Sequence, residues 1–157
     1  MNINKHKIFT QLISIATCGK LADLLISAKT TLPWLLASLG APIWIVSMLV
    51  PIRESGSLIP QWPLKQKVRH IENRLIIWRW GIAIQACSIC FMLASAIFTE
   101  ALLAGLLILL CLLLLSVGRS LSSLSMKDIQ GLNIEKGQRG KLVGIASTMS
   151  GLLSLII

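Results

Sequence analysis

Apolar residues in this chain come in near-continuous blocks, separated by short polar or basic stretches, rather than at the three-to-four spacing of a half-buried surface helix. The clearest block is residues 75–98, LIIWRWGIAIQACSICFMLASAIF. As a helix it would be about 36 Å long, enough to cross a hydrocarbon core of ~30 Å. A second block, 101–126, opens with ALLAGLLILLCLLLLS and is interrupted only by Arg119. Thr99 and Glu100 alone separate the two, and Thr99 suits an N-cap, so the pattern predicts a tight helical hairpin. The first sixty residues are more broken, by Pro33, Pro42, Pro51 and Pro60 and by Lys20, Asp23, Lys29, Arg53 and Glu54. The uncharged Leu39-Gly40-Ala41-Pro42 reads as a turn, which predicts helices near 8–37 and 43–62. A last apolar run, 142–157, would rise about 24 Å, short of a full crossing, and would leave a terminal carboxylate in hydrocarbon. The expectation is an all-α membrane protein with four full spans and a truncated fifth, residues 1–157 forming the front part of a longer bundle. A short, tilted or interfacial fifth helix is the alternative.

Composition agrees with this pattern. Of 157 residues, 55% are hydrophobic and 13% charged, where soluble domains carry about a quarter charged. That balance excludes a disordered chain and an ordinary water-soluble enzyme. Fifteen Lys and Arg against six Asp and Glu give a net charge of +9. On so apolar a chain the excess reads as a topology signal and not as a nucleic-acid footprint. The densest basic cluster, Lys65, Lys67, Arg69, Arg74 and Arg79, is expected in the cytoplasm, as are Lys5 and Lys7, so two crossings fit between them. By the same parity, Thr99-Glu100 falls outside and Lys127, Lys136, Arg139 and Lys141 return inside. The predicted location is a bacterial inner membrane, N-terminus cytoplasmic. Lys5 and Lys7 before Ile8 to Ala16, with Ile15-Ala16-Thr17-Cys18, faintly resemble a cleavable leader. Thr17 before the bond, and Lys20 and Asp23 just after it, favour a retained first helix.

Four ionisable residues fall within predicted spans: Asp23, Arg53, Glu54 and Arg119. Asp23 and Arg53 are about equally far from the predicted turn, so they could pair at mid-depth between antiparallel helices. The four could line a solute or proton path, or they could clamp helices together, with Arg119 reaching the inner interface. Cys87-Ser-Ile-Cys90 lies inside an apolar block with no further ligand nearby, so Cys18, Cys87, Cys90 and Cys111 are expected to pack as small apolar residues. His6 and His70 sit in basic segments without metal partners, and no cofactor is called for. No catalytic motif appears, and an enzyme is not expected. Ala101-x3-Gly105, Gly140-x3-Gly144 and Ser147-x3-Gly151 are candidate close helix contacts. The five Trp (34, 44, 62, 78, 80) fall near predicted span ends, as interfacial anchors do.

Short external turns alternating with basic internal loops resemble the N-terminal half of a major facilitator superfamily transporter. Leu39-Gly40-Ala41-Pro42 followed by Val50-Pro51-Ile52-Arg53-Glu54-Ser55-Gly56-Ser57-Leu58-Ile59-Pro60-Gln61 resembles the second-helix region of a bacterial branch of that superfamily. Lys127-Asp128-Ile129-Gln130-Gly131, with Lys136-Gly137-Gln138-Arg139-Gly140-Lys141, resembles that branch's loop between helices 4 and 5. The superfamily's Gly-x-x-x-Asp signature after helix 2 is absent, and only its basic end survives in Lys65, Lys67 and Arg69. The resemblance implies a secondary transporter of an unknown small solute, working by alternating access between two halves. This chain would lack the C-terminal half and would not transport alone. Its partners would be the lipid bilayer, the solute and that missing half. A different reading is a small non-transporting membrane subunit that docks to a partner membrane protein through its helices. A membrane anchor for an enzyme complex, with Cys and His as ligands, has too few ligands.

Overall fold

The computed structural model describes residues 3–58, 74–134 and 136–156. Among them are six helices and no strand: α1 (Ile3–Leu25), α2 (Thr31–Ser38), α3 (Ile43–Leu58), α4 (Arg74–Phe98), α5 (Ala101–Asn133) and α6 (Lys136–Ile156). The described residues are all-α. The chain divides into two compact units, residues up to Ser27 with Lys127 onward, and Ala28 to Met126.

The helix expected over 8–37 is in fact two, α1 and α2, with residues 26–30 between them. Pro33 accounts for the break. It has no N–H to give to the Lys29 carbonyl, and its ring would collide there, but it is tolerated in the first turn of a new helix. The turn expected at Leu39-Gly40-Ala41-Pro42 is present and is built by a double hydrogen bond. Ala41 N donates to Leu36 O at 2.9 Å and Gly40 N to Ala37 O at 3.1 Å. The motif needs a left-handed residue where Gly40 stands, and Gly40 has φ +74°. Pro42 follows at once and separates α2 from α3.

α3 agrees with the predicted start of the second helix as far as Leu58; residues 59–62 of that prediction lie outside the described residues. α4 and α5 form the predicted hairpin, joined at Thr99 and Glu100. The Thr99 hydroxyl donates back to Ser95 O at 2.6 Å, closing α4. α5 runs past the expected end at 126 to Asn133, because Lys127 to Gln130 contain no helix breaker. α6 begins at Lys136, six residues before the expected 142, so its charged first turns are helical too. Among the described residues two helices are long and apolar enough to cross a membrane, Leu75–Phe98 and Ala101–Leu132, with mean hydropathy 2.0 and 2.8. Four full spans were expected; among the described residues two are shown, and α3 is described as far as Leu58.

In the unit 28–126, α5 is the central helix. Half of its apolar window is buried inside the chain, against 22% for α4. Leu36, Ile45, Leu49, Ile108 and Leu112 are fully buried there. In the other unit α1 packs on α6. Leu142, Ala146 and Ser150, spaced four apart, are buried along one stripe of α6, and Leu12 and Thr17 are buried on α1.

Candidate functional site

Two helix contacts fix the geometry around α5. On one side lies α3. A Cβ added to Gly105 would come within 2.8 Å of the Ile45 side chain, and one added to Gly56 within 3.0 Å of Ser116 Cβ. Ile45 to Gly56 and Gly105 to Ser116 are equal steps along their helices, so α3 and α5 run parallel in matched register. On another side lies α4, antiparallel through the tight turn. A Cβ on Gly81 would meet Ser122 N at 2.8 Å and Gly118 O at 2.9 Å. Beside this crossing, Gln85 Nε2 donates to Ser122 Oγ at 2.9 Å and to Gly81 O at 3.1 Å. Ser122 Oγ in turn donates to Arg119 O at 3.0 Å. Small residues therefore bring the backbones together, and an amide–hydroxyl bond fastens them.

Sequence reading did not single out Gly81, Gly118, Gln85 or Ser122. The available signal was Gln85, the single amide in the block 75–98. The small-residue pairs that were singled out divide. Gly105 is a close contact, whereas Gly140, Gly144 and Gly151 have nothing within 4 Å of an added Cβ. Helix surfaces rich in Gly, Ala and Ser arise easily in apolar sequences, so spacing alone does not choose the packed ones.

The four ionisable candidates are distributed as follows. Asp23 lies in the last turn of α1, half-buried, in the unit that contains α6. It is not at the centre of a long helix, as expected, because the chain breaks two residues later. Arg53, Glu54 and Arg119 belong to the other unit. Glu54 pairs with Lys29 at 3.4 Å, and these side chains are 60% and 70% exposed. That pair ties the segment before α2 to the last turns of α3, a surface role. Arg53 and Arg119 are half-buried, and both make polar interactions within the chain. In the α3–α5 register, Arg53 stands level with Leu113, about 9 Å along the axis from Arg119.

Among the basic loop candidates, Lys65, Lys67 and Arg69 lie outside the described residues. Arg74 opens α4 and Lys136 opens α6. Lys141 is exposed. Arg139 has a defined structural role: its Nε donates to Ile134 O at 3.0 Å and its Nη2 to Gly131 O at 2.8 Å. It thereby places a cation on the open carbonyls at the C-terminus of α5, where the helix dipole is negative. Lys20, one of the residues that interrupt the first apolar runs, is held by α6. Its Nζ donates to Val143 O at 3.2 Å and also to Ser147 Oγ.

Cysteines expected to pack do so only in part. Cys111 is buried, but Cys18, Cys87 and Cys90 are exposed. Cys87 and Cys90 lie on the side of α4 away from Gly81 and Ser88, whose side the neighbouring helix already occupies. Trp34, Trp44 and Trp80 are exposed as well, at 70%, 53% and 65%.

No protein-family model matches the chain, and no curated protein or solved structure matches it either.

Proposed function

We propose that this chain is an integral membrane protein, the front part of a major facilitator-type secondary transporter, whose helices alternate in direction across the inner membrane with the N-terminus in the cytoplasm. One observation carries the reading. α3 and α5 lie side by side and parallel, with antiparallel α4 joined to α5 by a two-residue turn. A chain whose second and fourth spans both run inward requires those two helices to be parallel, as they are here. The apolar surface supports it too: Phe91, Ile97, Phe98, Leu103 and Leu110 are all more than half exposed, a costly surface in water and an ordinary one in lipid.

In this reading the chain binds an unidentified small solute only together with a second half. Arg53 and Arg119 are the candidate path-lining residues of the unit 28–126. Glu54 is engaged with Lys29 at the surface, which suits it poorly to carry a coupled proton.

Reporter fusions test the topology. A periplasm-active reporter at Glu100 should be on and one at Lys141 off; the reverse pattern would overturn the reading. The transporter itself is tested by the DNA after codon 157. A continuation encoding six or seven more apolar spans, which restores solute uptake when joined to this chain, supports it. Uptake that survives Asp23→Asn and Arg53→Gln in the joined protein would remove these residues from the path.

The alternative, a small membrane subunit, is favoured by a separate observation. The outward side of α4 carries small residues, Ala83, Cys87, Cys90 and Ala94, all exposed. Disulfide crosslinking from Cys87 or Cys90 to one defined membrane partner in cells would favour that reading over a transporter fragment.

A further inference from the structure

Arg79 occupies an unusual place on α4. It is exposed, yet the residues three and four positions to either side of it are also exposed and are apolar: Leu75, Ile76, Ile82 and Ala83. Trp80, next to it, is 65% exposed. The buried side of this helix is instead marked by Ile77, Gly81 and Ser88. The guanidinium therefore stands on the outward, apolar face, and among the described residues its side chain has no hydrogen bond or ion pair. A cation in such a ring cannot rest at mid-depth in lipid; it must reach a layer that solvates it.

The length of the helix says which layer. From Arg79 to Thr99 at the turn is about 30 Å of helix, equal to the hydrocarbon thickness. With Thr99 and Glu100 at one surface, Arg79 and Trp80 arrive at the phosphate level of the other. Charge is distributed accordingly. No basic residue occurs between Arg79 and Arg119, whereas Lys65, Lys67, Arg69 and Arg74 precede Arg79 with Glu72 as the only acid among them. Arginine suits a phosphate because its planar donors bind two oxygens at once, and an indole suits the boundary between tail and headgroup.

We infer that Arg79, flanked by Trp80, seats the phosphate of an acidic phospholipid at the end of the α4–α5 hairpin remote from its turn. The inference rests on the membrane reading of the hairpin. It goes further by selecting the lipid class and the residue that recognises it, since an outward guanidinium with no partner among the described residues favours an anionic headgroup over a zwitterionic one.

Tryptophan quenching tests it. The full chain is reconstituted in phosphatidylcholine vesicles doped with brominated phosphatidylglycerol or, separately, brominated phosphatidylcholine. The difference between the chain and its Trp80→Phe variant isolates the Trp80 signal. Brominated phosphatidylglycerol should be enriched at Trp80 about fivefold over the choline lipid, the factor one arginine provides at an anionic surface. Arg79→Gln should abolish the preference, Arg79→Lys should retain only part of it because an ammonium lacks the planar two-oxygen fork, and high salt should reduce it. Equal quenching by the two lipids, or a preference that survives Arg79→Gln, overturns the inference and leaves the membrane reading intact. No quenching of any tryptophan by either lipid overturns the membrane reading and this inference together.

Discussion

Gly81 and Gly118 face each other so closely that a Cβ on either would stand against the other's carbonyl oxygen, at 2.9 and 3.0 Å. Both obstacles are backbone, so neither can swing aside. Gly81→Ala should therefore destabilise the α4–α5 pair by about 1–3 kcal/mol, the usual cost of overpacking. Gly105→Ala should cost less, because its shortest contact is with Ile45 Cδ1, the end of a side chain, and none of its contacts is backbone. Reversible unfolding in mixed detergent would measure both. A Gly81→Ala protein as stable as the parent would show that the helices do not cross here.

Lys20 is fastened to α6 through Val143 O and Ser147 Oγ. Lys20→Met keeps most of the aliphatic stem and removes the charged donor. It should cost about 1.5–3 kcal/mol, in the range for hydrogen bonds from charged groups. Ser147→Ala leaves the Val143 carbonyl as a partner and should cost nearer 1 kcal/mol. The same unfolding titration checks the order of the two; an inverted order would assign the contact to the serine alone.

Arg139 closes the end of α5. Replacing it with Gln should fray the last turn, with a loss of about 1 kcal/mol. Hydrogen exchange offers the sharper readout. Protection should fall at the amides of the final α5 turn, including Ile134 N, which bonds Gln130 O at 3.0 Å. Amides in α4 should be unchanged. Uniform loss of protection across the protein would point to a global role for Arg139.

The thiols should separate by environment. In mild detergent Cys111 should resist maleimide until the protein unfolds, while Cys18, Cys87 and Cys90 remain open to reagent. In vesicles, Cys87 and Cys90 should become slow towards a polar maleimide and stay slow when the vesicles are permeabilised, because a polar reagent does not readily enter the hydrocarbon layer they would face. Rapid labelling of either in intact membranes would place that side of α4 in water.

The Lys29–Glu54 pair should matter little. Both side chains are well exposed, so Glu54→Gln is expected to change stability by no more than about 1 kcal/mol. A larger loss in the unfolding titration would mean that Glu54 has a further role.

The apolar blocks 75–98 and 101–126, the uncharged turn at Leu39 to Pro42 and the two-residue link at Thr99-Glu100 were all legible from the sequence. Each is decided locally: by helix length against bilayer thickness, by the left-handed freedom of Gly40, and by the lack of residues for a longer loop. Pro33 also carried its message locally, since it cannot continue the helix from α1, although the apolar content of the stretch extended the expected helix through it to 37. What the chain could not reveal by itself was pairing. Gly81 and Gly118 pack closely while Gly140 and Gly144 stand in open space, yet all four look alike in sequence. Lys20 and Arg139 were equally ambiguous, because a cation's role depends on which carbonyls come within reach, here Val143, Gly131 and Ile134. Hydrophobic length and turn chemistry are properties of contiguous residues. Contact between helices, and the charges it satisfies or leaves outward, exists only once distant segments are brought together.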